Sequence, residues 1–230
     1  MIHTRTLIAL AMWLTIAPLY ADVPADFRPT IAVDVAESPE LAEWSDQAKK
    51  QCETWFPKLV KEFDTDGHKP AETVTLFFKK DMDGVAHTSG RRIVISSKWV
   101  TDHPDDIGMV IHELMHVVQA YPPSKAGWLV EGIADYVRYF QFEPDKKSKW
   151  PINAKSSYKQ GYGVTAAFLA WLERTKHPGI VLKLNAALRT SKYDNRLFEE
   201  LTGRSLDDLW AEFVAQGGKV PETKPEQNAK

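Results

Sequence analysis

His112-Glu113-Leu114-Met115-His116 places two imidazoles four residues apart with a carboxylate beside the first. On a helix of about 3.6 residues per turn this spacing puts both rings on one face, where they can bind a single metal ion. It is the H-E-x-x-H pattern of zinc-dependent hydrolases, in which the carboxylate takes a proton from a metal-activated water and passes it to the leaving amine. The alternative is two solvated histidines on an ordinary amphipathic helix. The flanks oppose it, because Ile107, Val110, Ile111, Leu114, Val117 and Val118 make the helix apolar over most of its circumference. Two imidazoles and a carboxylate inside a core are costly unless something pairs with them, and a metal ion would do so.

A catalytic zinc site keeps three protein ligands and leaves a position for water, so a third ligand is needed. The segment from Gly127 to Tyr136 offers Glu131, with Asp135 one turn further on the same helix face. Glu131 is the expected ligand. Asp135 is expected to accept the free N–H of a ligand imidazole and fix its tautomer, and it is also the main alternative for the third ligand. Trp128, Leu129, Ile133, Val137 and Phe140 mark this second helix as largely buried.

The elements that must position these groups are legible in outline. Pro104-Asp105-Asp106 suits the first turn of the metal helix and Pro122-Pro123 closes it, which predicts a helix from about Pro104 to about Ala120. Val74–Phe78 and Arg92–Ser96 read as strands, with an edge strand over Gly84–Thr88 between them. Ser38-Pro39 opens an amphipathic helix that Pro57 ends or kinks. Further helices are expected over Val164–Thr175, Ile180–Leu188 and Leu197–Leu201, then after a Ser205/Asp208 capping box. The fold class is α+β: a small antiparallel or mixed sheet followed by a mostly helical C-terminal half.

Residues 1–21 have the layout of a secretory signal peptide, with a basic start, an apolar stretch from Leu7 to Ala17 and a cut expected after Ala21. That predicts a secreted or periplasmic protein with no stable membrane span in its mature form. A single domain is expected over 22–216 and a disordered polar tail over 217–230. Cys52, the only cysteine, can form no intramolecular bridge and sits on the buried spacing of its helix. The charge balance of 29 Lys plus Arg against 31 Asp plus Glu, with no glycine-rich phosphate loop and no basic aromatic stripe, gives nucleotide and nucleic-acid binding no support. The fragments Asp64–Gly67 and Asp81–Gly84 lack the remaining ligands of a calcium loop and read as turns.

The run His112–Gln119 and then Trp128–Arg138 resembles the basic secretory protein family of plant and bacterial metallopeptidases. Asp83–Ser89 leading to Ile93–Ser96, Gly161–Leu169 and Phe198–Trp210 continue the resemblance, which covers about residues 30 to 215. It implies a zincin-like domain of the gluzincin kind, with His112, His116 and Glu131 holding Zn²⁺, Glu113 as general base and a peptide or protein as substrate. At a net charge of −2 this chain departs from the basic character of the plant members. The resemblance also points to Tyr162, with Tyr158 as a substitute, as the phenol that stabilises the oxyanion. It suggests that Gly84, Val85, Ala86 and His87 form a strand platform for extended substrate, although His87 itself reads more readily as an exposed polar strand residue. An exported endopeptidase acting as a monomer is the expected function. The alternatives are a zinc amidase acting on cell-wall peptides or another non-protein amide, and a zinc-stabilised envelope binding protein without turnover.

Overall fold

Four strands, Thr30–Asp34 (β1), Thr73–Lys79 (β2), Ala86–Ser89 (β3) and Arg92–Ser96 (β4), form one mixed sheet in the order β1-β2-β4-β3. The computed structural model describes residues 27–146 and 150–222. The expected signal segment, the end of the polar tail and residues 147–149 lie outside the described residues. β1, β2 and β4 run parallel, and β3 pairs antiparallel with β4 at the edge. On β2 the side chains of Val74, Leu76 and Phe78 point into the core while their neighbours face outward, as the period-2 pattern requires. β1 is a strand that the pattern of the sequence did not reveal.

Helix α1 (Ala42–Glu62) follows a short turn at Pro39–Leu41 and buries Ala48, Cys52, Phe56, Leu59 and Val60. Pro57 does not end it. The bond that proline forfeits would go to the carbonyl of Glu53, an exposed residue that water can satisfy. Cys52 is fully buried, and burial pushes its thiol up to about 12. Helices α2 (Ser97–Asp102) and α3 (Gly108–Gln119) follow the sheet, with α1 and α3 side by side, α1 against β1 and α3 against β3 and β4.

α3 starts four residues later than Pro104. Pro104–Ile107 is a turn, because the Asp106 carboxylate accepts from Trp99 Nε1 at 3.0 Å and pairs with Arg138 Nη2. α4 (Gly127–Val137) packs between α3 and α5 (Tyr162–Thr175), and α6 (Ile180–Arg189), α7 (Arg196–Thr202) and α8 (Leu206–Ala215) complete the C-terminal half. Gly132 permits the α4–α5 approach, since a Cβ there would lie 2.2 Å from Thr165 Cγ2. Ser205 caps α8 by accepting from Asp208 N at 3.1 Å. No helix among the described residues is long and apolar enough to cross a membrane.

Candidate metal centre and its cleft

His112 and His116 stand one turn apart on α3, and Glu131 faces them from α4. His112 Nε2 lies 3.1 Å from His116 Nε2 and 3.2 Å from Glu131 Oε2, and His116 Nε2 lies 3.4 Å from the same carboxylate oxygen. Three atoms each about 2.1 Å from one centre at tetrahedral angles would be roughly 3.4 Å apart, so this trio could hold a metal ion.

The other nitrogen of each ring is already engaged. His112 Nδ1 is 2.6 Å from Asp135 Oδ1, and His116 Nδ1 is 2.7 Å from Gln119 Oε1. Gln119 is itself anchored, donating through Nε2 to Val130 O on α4 at 2.9 Å. With both Nδ1 atoms donating, the Nε2 lone pairs are left to point at the ligand position. Arg189 fixes the end of the helix by donating to Val118 O at 2.8 Å and Gln119 O at 3.3 Å.

Burial pulls the basicity of His112 down, but the hydrogen bonds it donates to Asp135 and Glu131 outweigh it and hold the pKa at about 9. Burial pushes Glu131 up, and the two histidines overcome that and bring it to about 2. Both directions describe a cationic imidazole against an anionic carboxylate. A metal ion held by this trio would take the place of that proton.

Glu113 is 7% exposed and its backbone follows that of His112. Thr88 on β3 has its hydroxyl 2.8 Å from Glu113 Oε2 and 2.9 Å from Glu113 O, which ties the carboxylate to the sheet edge and leaves Oε1 without a partner among the described residues. Tyr162 opens α5 with φ at +48°, after Gly161 at +71°. A non-glycine residue in this region is strained, and strain of this kind collects at functional sites. Its ring lies parallel to His112 with centroids 6.2 Å apart, and it is 57% exposed. Glu131, then burial, Asp135 and Glu113 raise the Tyr162 phenol, so it keeps its proton at neutral pH. Tyr158 is buried, does not line the cleft described below and donates to Asp207 Oδ1 at 2.9 Å.

These groups open into a cleft of about 1590 Å³, larger than the usual small-ligand pocket of about 300–1,000 Å³. It continues on both sides of the trio, toward His68, Lys69, Tyr121 and Pro122 at one end and toward Tyr139 and Trp150 at the other. The edge strand beside it begins at Ala86 rather than Gly84. Gly84, with φ +90°, sits in the preceding bend and does not line the cleft, whereas Val85, Ala86, His87 and Thr88 do. Ser96 N donates to Val85 O, so residues 85 and 87 turn their backbone groups toward β4. The N–H and C=O of Ala86 and Thr88 therefore point off the sheet edge.

The sequence pattern assigns Gln119 no role in the site, and it places Thr88 in the edge strand without linking it to Glu113. Gln119 was within reach of such reasoning, since it stands three residues after His116 on the same helix. Thr88 and Arg189 carry no comparable local signal.

A family model described as BSP, peptidase of plants and bacteria, matches residues 34–213. No curated protein and no solved structure matches the chain.

Proposed function

The chain belongs to the BSP family, peptidases of plants and bacteria, and from that premise we propose that it is an exported zinc metallopeptidase cutting within peptide chains. One observation carries the reading: three ligand atoms converge at 3.1–3.4 Å, both imidazoles are held by their far nitrogens, and a carboxylate with one free oxygen stands beside them. A purely structural site would close with a fourth protein ligand, and the described His, Cys, Asp and Glu groups bring only His112, His116 and Glu131 together.

In this reading His112, His116 and Glu131 hold Zn²⁺. When bound, the ion supplies Lewis acidity, activating water and polarising the substrate carbonyl. Glu113, steadied by Thr88, accepts the water proton on its free oxygen and returns it to the departing amine. Asp135 and Gln119 act through the imidazoles as positioning residues. Tyr162, protonated and fixed at the start of α5, donates its O–H to the carbonyl oxygen as negative charge builds there.

Substrate lies extended along β3, pairing with the free backbone groups of Ala86 and Thr88, while Val85 and His87 flank that contact. The cleft running past the trio at both ends suits a chain that continues on either side of the cut. Export rests on residues 1–21, with Ala21 as the last residue removed.

The test is mass-spectrometric mapping of cuts in a diverse peptide library by zinc-loaded protein from residue 22 onward, beside Glu113→Gln. Cuts by the first that disappear in the second, at equal zinc content, are expected. No cuts from the parent protein, or the same cuts from both, would overturn the reading.

A further inference from the structure

One end of the cleft has a composition that the proposed chemistry does not use. Met109 lies on α3 one turn before His112 and is 3% exposed. Arg138 and Tyr139 follow Asp135 by one turn on α4 and its continuation. Trp150 closes the wall, its ring 5.0 Å from that of Tyr139 at 69°. All four line the cleft together with His112, Asp135 and Gly163.

The indole is seated rather than loosely draped. A Cβ at Gly163 would fall 1.9 Å from Trp150 Cε2, so only glycine lets the ring lie on the first turn of α5, next to Tyr162. Tyr162 in turn lies over His112. The recess walled by Met109, Tyr139 and Trp150 is therefore adjacent to the place where the bond would be cut.

Its charges are spoken for. Arg138 pairs through Nη2 with Asp106 and through Nε with Glu143 at 2.8 Å, and Lys146 stands 3.7 Å from Glu143. The guanidinium also stacks on the Tyr139 ring, with Cζ 4.6 Å from its centre. Asp135 is committed to His112. An acidic substrate side chain would meet Asp135 and an arginine whose charge Asp106 and Glu143 already take, and a basic one would meet that arginine. A thioether and two rings leave an apolar or aromatic side chain as the suitable occupant.

We infer that this recess is a specificity subsite that selects a large apolar or aromatic side chain on the substrate residue next to the scissile bond. The inference rests on the peptidase reading. Pockets of this kind discriminate by roughly 10-fold or more between side chains that fill them and ones that do not.

The experiment is the cleavage profile of the zinc-loaded parent protein on a peptide library, followed by kcat/KM for a matched pair of peptides with Phe or Ala at the position selected. Enrichment of about 10-fold or more for Phe, Tyr, Trp, Leu or Met at one position adjacent to the cut, with Asp and Glu depleted, is expected. Trp150→Ala and Tyr139→Ala should each lower the Phe-to-Ala ratio by about 5-fold or more, a change in ratio that loss of folded protein cannot produce. Cuts without apolar preference adjacent to the bond would overturn the subsite and leave the peptidase standing. So would a preference that both folded variants keep. The parent profile decides even where a variant fails to fold, and no cuts at all would overturn both readings.

Discussion

Replacing Asp135 by Asn keeps the size of the side chain and an oxygen acceptor but removes the charge that faces His112. The contact is short, 2.6 Å from Nδ1 to Oδ1, and the two side chains are only 10% and 8% exposed. Solvent therefore does little to replace what is lost. A hydrogen bond to a charged group contributes about 1.5–3 kcal/mol and a neutral one about 0.5–1.5, so the substitution should cost about 1–2 kcal/mol. At about 1.4 kcal/mol per factor of ten, zinc should bind roughly 5- to 30-fold more weakly. Asp135→Ala should cost more, because it strands a buried N–H. Gln119→Ala should cost less, since the acceptor is a neutral amide and His116, at 17% side-chain exposure, can turn to water. The assay is competition for zinc against a chromophoric chelator, with circular dichroism confirming the fold. Zinc affinity of Asp135→Asn within twofold of the parent, or a larger loss from Gln119→Ala than from Asp135→Ala, would refute the account of how the imidazoles are held.

Tyr162→Phe should lower kcat by roughly 10- to 100-fold with KM changed by less than about threefold; this is less than a fully enclosed donor gives, because the ring is 57% exposed. A kcat within twofold would remove Tyr162 from the reaction. Gly132→Ala should force α4 and α5 apart, since the new methyl would lie 2.2 Å from Thr165 Cγ2, and cost about 1–3 kcal/mol in a urea titration. Thr165→Ser in the same chain should recover part of the loss, because it deletes that methyl and keeps the hydroxyl bonded to Tyr158 O. No recovery would place the strain elsewhere. His68 is lowered to about 4 by burial and then by Arg189. Its folded value lies below the unfolded one of about 6.5, so its contribution to stability is complete above pH 6.5 and is lost as pH falls toward 4. His68→Gln should flatten the fall in urea midpoint across that window, and an unchanged slope would show that other groups cause it.

How far the sequence reveals this molecule depends on whether the deciding partner is near in the chain. β2 and β4 announce themselves through β-branched and aromatic runs, and α1, α5, α6 and α8 through apolar spacing, to which Ser205 adds a cap at α8. β1 does not, because Thr30–Asp34 buries only Ile31 and exists by pairing with β2 more than forty residues later. The start of α3 is hidden from the sequence for the same reason. Pro104-Asp105-Asp106 has the composition of a first turn, yet Arg138 and Trp99 hold Asp106 outside the helix. In the site, His112, His116, Glu131 and Asp135 were legible because a helix repeat places them. Tyr158 and Tyr162 could not be told apart by composition; the choice depends on Asp207, which reaches Tyr158 from α8.

The same contrast explains how the site can be rigid without being closed. His112, His116 and Glu113 each have one end tethered by another side chain while the other end faces the shared position. His112 is held from α4 by Asp135, His116 by Gln119 and through it by Val130, and Glu113 by Thr88 of the sheet edge. The carbonyls at the end of α3 are held from α6 by Arg189. Burying His112, Glu113 and Asp135, and partly burying His116 and Glu131, costs stability that apolar residues of the same volume would supply. Closer positioning is what such an arrangement gives in return, since the tethers reach α3 from three other elements, α4, β3 and α6. The free ends then have only one direction left, toward the shared position between α3 and α4. A metal bound there would meet ligands already oriented, and a substrate on β3 would lie against the carboxylate that the same strand holds in place.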